Sequence, residues 1–203
     1  MATKKDFTIL QGETFQRIIR WETPPYVYAP ITGITQAAPV SLTVVGHGLK
    51  TGWRAAVVSA LGMTEINTVN SPLRDSDFHQ VTVVDPNTVT INDINSFGFS
   101  PYISGGYLQS FTPVVLTGYS AKMEIKDRVG GNILMTLSSN LGDNRIIIDT
   151  TNYTITLNVA ATDVTAALIT WRKGVYDLEM TGPTGTVTRI FTGSIKISPE
   201  VTT

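Results

Sequence analysis

The sequence contains no cysteine. Disulfide staples, thiolate metal sites and cysteine nucleophiles are thereby excluded, and the redox compartment stays unread. Charge is scarce as well: Asp, Glu, Lys and Arg make up 15% of the chain, against roughly 25% in an average globular protein. A net charge of −1 leaves no electrostatic footprint for a nucleic acid or an anionic membrane surface. No apolar run approaches the ~20 residues that span a bilayer. The N-terminal stretch MATKKDFTIL has two lysines but no apolar segment of the kind a signal peptide needs. The expectation is a chain that is soluble, or part of a soluble assembly, with no nucleic-acid partner and no membrane insertion. Apolar residues account for 42%, enough for a real core. A low-charge surface rich in Thr, Ser and Asn favours lasting contact with other protein.

Period-two alternation is the commonest pattern present. Near the C-terminus Tyr176, Leu178 and Met180 alternate with Asp177, Glu179 and Thr181, as in a half-buried strand. Gly182-Pro183-Thr184-Gly185 supplies a turn. A return strand runs from about Thr186 to Ser198, ended by Pro199, which cannot donate to a ladder. Gly193 interrupts it where a bulge or a close backbone approach fits.

From the other end, Lys5 to Leu10 and Thr14 to Trp21 read as strands about the turn Gln11-Gly12, and Thr23-Pro24-Pro25 reads as a break. From Ile31 to Gln109 short strand candidates recur: Ser41 to Gly46, Arg54 to Ala60, Phe78 to Val84 and Thr88 to Ile91, the last two joined by Asp85-Pro86-Asn87. Strands at such spacing predict a small all-β barrel or sandwich. Beyond Pro113, Ala121, Met123 and Ile125 alternate with Lys122, Glu124 and Lys126. Gly130-Gly131 then turns the chain into Asn132 to Leu137, followed by Arg145 to Asp149 and Tyr153 to Leu157. Ala160 to Thr170, with Val164, Leu168 and Ile169 at helical spacing, predicts one short helix.

A lone hairpin is marginal in water, so the N-terminal strands need the C-terminal ones. The predicted fold is all-β: a discontinuous immunoglobulin-like β-sandwich of residues 1–30 and 112–203, carrying a small β-barrel, residues 31–111, inserted between two strands. A folded insert is tolerated when its ends lie close together. The expected host core is Phe7, Phe15, Trp21, Tyr119, Met123, Tyr176, Leu178 and Ile195; that of the insert is Val44, Leu49, Val57, Val83 and Ile91.

No catalytic, cofactor-binding or metal-binding residue is assigned, and the chain is not expected to be an enzyme. His47, in His-Gly-Leu, reads as a strand-end histidine fixing a turn, because no second ligand lies at metal spacing; His79 reads in the same way. Asp75 and Asp77 lack the further acids of a calcium loop. Asp177 and Glu179 share one side of one strand, whereas glycosidase pairs face each other across a cleft. Trp21, Trp53 and Trp171 have the chemistry to stack on sugars but read as core or interface anchors. Asn152-Tyr153-Thr154 matches a glycosylation acceptor, idle without a secretory route.

Phe7-Thr8, Gln11-Gly12-Glu13-Thr14-Phe15, Val115-Leu116-Thr117-Gly118-Tyr119, Val175-Tyr176-Asp177-Leu178-Glu179, Gly193 and Ser198-Pro199-Glu200-Val201-Thr202 occur in that order. Together they resemble the immunoglobulin-like N-terminal module of upper baseplate and related tail or neck proteins of tailed bacteriophages. A second set comprises Ile34-Thr35, Pro39, Thr43, His47-Gly48-Leu49, Gly52, Gly62-Met63, Asn67, Val83-Val84-Asp85, Asn87-Thr88, Tyr102 and Ser104-Gly105-Gly106. It resembles a small β-barrel embedded in phage virion proteins, similar to the first catalytic cysteine half-domain of ubiquitin-activating enzymes, a name that carries no activity here. The stretch SPLRDSD departs from the usual spacing and reads as an enlarged exposed loop.

The resemblance implies a non-enzymatic structural protein of the virion tail or baseplate, made in the host cytoplasm, with no cofactor. Its implied partners are other tail or baseplate proteins and symmetric copies of itself. A neck or head–tail connector is the first alternative. A carbohydrate-binding host-adhesion module, which aromatic rows on an exposed face would support, is the second.

Overall fold

A computed structural model describes residues 2–199, without the side chains of Leu168 and Ile169. The helical spacing of those two residues, and the motif residues Glu200, Val201 and Thr202, therefore lie outside the described residues. In chain order the strands begin with β1 (Thr3–Lys4), β2 (Phe7–Leu10) and β3 (Phe15–Arg20). Then follow β4 (Glu22–Pro30), β5 (Gly33–Ile34), β6 (Val40–Thr43), β7 (Arg54–Val58), β8 (His79–Asp85), β9 (Thr88–Ile91) and β10 (Tyr107–Pro113). The remainder are β11 (Ser120–Lys126), β12 (Ile133–Ser138), β13 (Ile146–Asp149), β14 (Thr154–Val159), helix α1 (Ala161–Thr170), β15 (Lys173–Thr181) and β16 (Val187–Ser198). No helix among the described residues is long and apolar enough to cross a membrane.

The chain divides into two compact units, Met1–Trp21 with Val114–Thr203, and Glu22–Pro113. These bounds correct the expected ones at 30/31 and 111/112. The cause is β4, which the two prolines hid. It pairs with β10 from Glu22↔Pro113 to Pro30↔Tyr107 and so belongs to the insert. Pro24 and Pro25 fall at the register shift between Phe111 and Thr112, on a strand that pairs on one side only. Proline, having no N–H to give, is tolerated at an edge and at a bulge.

In the first unit one sheet has the order β1-β16-β15-β11-β12, with β2 also on β16; the second is β13-β14-β3. Alternation explains the burial. On β14, Ile155, Leu157 and Val159 point inward and Thr154, Thr156 and Asn158 are half-buried. Both sheets and α1 feed a single cluster that includes Phe15, Ile19, Met123, Leu137, Ile155, Val164, Trp171, Leu178 and Ile195. Each Leu- or Ile-sized side chain buried there contributes about 1.5–3 kcal/mol. Two of the expected core residues, Trp21 and Tyr119, are half-buried. They pack edge-to-face, ring centroids 5.7 Å apart, against that cluster.

The N-terminal strand is zipped in parallel onto β16, Thr3 beside Phe191 and Phe7 beside Ile195. Between the two ladders the chain passes over Gly193, where a Cβ would lie 2.0 Å from the Lys5 carbonyl oxygen. The interruption read at Gly193 is thus a close backbone approach. The Tyr176 hydroxyl donates to that same carbonyl at 2.7 Å. Asp6 Oδ1 accepts from the Ser194 N–H at 2.7 Å and from its hydroxyl at 2.9 Å. Phe7 stacks on Tyr176, centroids 5.5 Å apart, and meets Phe15 edge-on at 5.6 Å.

In the second unit a seven-stranded sheet runs β4-β10-β7-β8-β9-β6-β5. Its two outermost strands are consecutive in the chain, separated by Ile31 and Thr32. Ile31 N–H donates to Gly106 O at 3.0 Å and Thr32 N–H to Thr43 O at 2.9 Å, so this corner reaches both ends of the ladder and the sheet curls into a small barrel. Val40, Leu42, Val44, Trp53, Val57, Val81, Val89, Ile91 and Leu108 fill it. Leu49 and Val83, expected in this core, are half-buried. The β8–β9 register shifts between Val83 and Asp85, and Val81, well inside the ladder, takes the core position instead.

Gly193→Ala is expected to destabilise the first unit by about 1–3 kcal/mol through overpacking, read as a lower urea midpoint with faster amide exchange over residues 3–10. Tyr176→Phe should cost about 1 kcal/mol and leave the sheet intact. An unchanged midpoint for Gly193→Ala would refute the close approach.

Candidate functional site

His47 is buried at the end of the stretch that follows β6. The Leu49 N–H donates to its Nδ1 at 3.0 Å, so Nε2 carries the hydrogen and donates to the Asp85 carbonyl at 3.0 Å. Both ring nitrogens are spent on tying 47–49 to the β8–β9 turn, as the sequence reading expects of a turn-fixing histidine. His79, expected to fix a turn in the same way, instead has its Nδ1 2.7 Å from Asp93 Oδ2, a partly exposed side-chain pair, because the β8–β9 hairpin brings residue 93 beside the start of β8. Asp75 and Asp77 form one turn of 3-10 helix. Asp77 accepts from the Asn70 amide and the Arg74 N–H, and Asp75 contacts Arg54. Those bonds hold the Asp77 carboxyl below its usual range, the Arg74 N–H first and the Asn70 amide next. Most of Ser71 to Asp77 is exposed, as expected of an enlarged loop. Among the described residues no group of three or more His, Asp or Glu converges as metal ligands would.

Asp177 and Glu179 point from β15 to the outer face of the six-stranded sheet, over a shallow depression of 350 Å³ shared with Lys122, Glu124, Lys126 and Arg189. The acids are met by bases. Glu124 reaches Lys122 at 2.5 Å and Lys126 at 3.0 Å. Arg189 Nε is 3.4 Å from Asp177 and 3.8 Å from Glu179. The lysine bonds, Lys122 first, hold the Glu124 carboxyl below its usual range. A general acid needs the opposite shift, so this face is a laced solvent surface. Exposed pairs of this kind contribute about 0–1 kcal/mol each.

The three tryptophans do not form a sugar platform. Trp53 and Trp171 are buried in their cores, and Trp21 leans on Tyr119.

The aromatic surface lies elsewhere, on the outer face of the insert. Register places Tyr26 and Tyr28 of β4 on one face with Tyr107, Gln109 and Phe111 of β10, since Phe111 opposes Tyr26 and Gln109 opposes Tyr28. Phe78, at the mouth of β8, joins them. Five rings run in sequence: Tyr107 to Tyr28 at 6.2 Å, Tyr28 to Tyr26 at 6.5 Å, Tyr26 to Phe111 at 4.8 Å, Phe111 to Phe78 at 4.9 Å. The guanidinium of Arg54 lies over Phe78 and Phe111, 5.4 and 5.1 Å from their centroids, held by Glu22 and Asp75. That end is closed. The other end is open: Tyr28 is 54% and Tyr107 44% exposed.

Sequence reading missed this band. Its signal was present, in Tyr26-x-Tyr28 and Tyr107-x-Gln109-x-Phe111, two short period-two runs. Neither stretch was read as a strand, because prolines border both. No protein-family model matches the chain, and no curated protein matches it.

Two measurements check these assignments. His47→Ala is expected to remove two part-buried hydrogen bonds and to cost about 1–2 kcal/mol, seen as a lower thermal midpoint. The Asp6 carboxyl is held low by the Ser194 N–H and, second, its hydroxyl. A depressed carboxylate stabilises the fold above its unfolded value of about 3.9 and loses that effect as pH falls through the folded value. Below about pH 4, exchange of the Ser194 amide, corrected for intrinsic rate, should rise; in Asp6→Asn that dependence should flatten.

Proposed function

We propose that this chain is a non-enzymatic structural component of a phage tail or baseplate, docking on neighbouring virion proteins and on symmetric copies of itself. The observation that carries the reading is the strand order of the first unit. Strands β16, β15, β11 and β12 follow one another in one sheet, and β13, β14 and β3 in the other. That is the order of strands G, F, C, C′ and D, E, B in a variable-type immunoglobulin sandwich. The insert enters between the first and second of those strands in chain order, β3 and β11, at Trp21 and Val114. The described residues of the motifs that resemble tail modules lie in the first unit. Phe7 and Phe15 bracket the turn at Gln11-Gly12, and Val175 to Glu179 lies within β15.

The chemistry agrees with a docking role. β3, β12 and β13 each pair on one side, leaving backbone groups on their outer edges for another chain. Charged residues are only 15% of the chain, so contacts made away from that laced face desolvate few ions.

The test is the particle. Mass spectrometry of purified tailed virions encoded beside this sequence should recover the chain in multiple copies per particle. The purified chain should sediment as a monomer or weak oligomer. Absence from the particles overturns the reading, and a discrete tight multimer of the isolated chain counts against docking as the step that orders it.

A further inference from the structure

The open end of the aromatic band on the insert points to a second capacity, independent of any role in a tail. We propose that Tyr28 and Tyr107, with Tyr26 behind them, form a binding site for a neutral carbohydrate.

The geometry supplies what a sugar ring needs. A pyranose has an apolar C–H face, slightly positive, and a rim of hydroxyls. The face of a tyrosine ring is negative and apolar and receives the first; hydrogen-bonding groups beside it receive the second. Tyr28 and Tyr107 meet at an interplanar angle of 87°, and Tyr28 meets Tyr26 at 78°. Two rings at right angles make a corner, a floor and a wall, and here that corner opens to solvent. Both rings at the corner are about half exposed, although large aromatics on a sheet are ordinarily covered. The hydroxyls of Tyr26, Tyr28 and Tyr107 make no hydrogen bond to any described residue and are left to meet a ligand. Three adjacent strands hold the site, β10 being paired to both β4 and β7, so the rings are fixed before any ligand arrives. Preorganisation of that kind reduces the entropy lost on binding.

The charge around the site selects the ligand class. Single-stranded nucleic acid also stacks on aromatic rows, but it needs a cationic groove along its backbone. The cation on this band, Arg54, is held by Glu22 and Asp75 over the two phenylalanines at the closed end. An anionic ligand finds no unpaired cation here among the described residues. A purely apolar partner would leave three phenol hydroxyls unsatisfied, at a cost of about 1–3 kcal/mol for each one fully buried. A neutral saccharide satisfies ring faces and hydroxyls together.

The test applies the full chain to an array of neutral mono- to tetrasaccharides and cell-wall polysaccharide fragments, followed by calorimetry on each hit. The expected result is retention of at least one neutral glycan, insensitive to salt between 50 and about 500 mM, since no ion pair is formed. Tyr28→Ala and Tyr107→Ala should each weaken it about tenfold or more. Tyr28→Phe, which keeps the ring face, should weaken it about threefold or less. The alanine variants alter half-exposed residues, and an unchanged melting temperature verifies their fold. A blank array with folded protein overturns the proposal. So does binding that survives both alanine substitutions, or binding confined to anionic glycans and abolished by salt.

Discussion

The carbonyl of Lys5 lies against Gly193, and the first unit depends on that contact. Without it β16 would be the exposed edge of its sheet. With it, the last strand is paired on both sides, by β15 and by the N-terminal strand. The join is local in space but spans nearly the whole chain. Closing so long a loop costs little more than closing a short one, because the entropy grows only logarithmically with length. What decides the outcome is the fit at the seam. A hydrogen at Gly193 in place of a methyl, the Tyr176 hydroxyl on the Lys5 carbonyl and the Asp6 carboxylate on Ser194 fix the register by one residue. That register puts Phe7 on Tyr176 and Phe15 against Phe7, which ties the seam to the core.

The two units satisfy the same demand, burial of a sheet face, in different ways. The first does so by laying one sheet over another. The second brings the ends of one sheet together at Ile31 and Thr32, so that Leu42, Trp53, Ile91 and Leu108 converge on a common interior. Their surfaces differ accordingly. The outer face of the six-stranded sheet is laced by paired charges. The outer face of β4 and β10 carries rings.

The C-terminal hairpin, the strand at Ser120–Lys126 and the helix were readable because each is a self-contained periodic run with a turn signal at its end. His47 was readable for a related reason: it sits in a Gly-flanked turn whose backbone groups lie within reach of its ring, whereas His79, in a strand, found its partner Asp93 only through the β8–β9 pairing. The errors share a cause too. Prolines at 24 and 25 looked like a break, yet one-sided pairing and a bulge made room for them, and with β4 unread the unit boundaries and the aromatic band were unreadable. Leu49 and Val83 are apolar, but whether an apolar residue at a strand end is covered depends on how far the neighbouring ladder extends.

The sequence by itself determined that the protein is built of strands, that its two ends belong together and that it uses no thiol chemistry, because period, turn chemistry and composition are local properties. Tertiary structure alone decided which strands neighbour which and which side chains share a face. Tyr28 and Tyr107 are far apart in the chain and become a corner only through the antiparallel register of β4 and β10, a relation between segments that no single segment encodes.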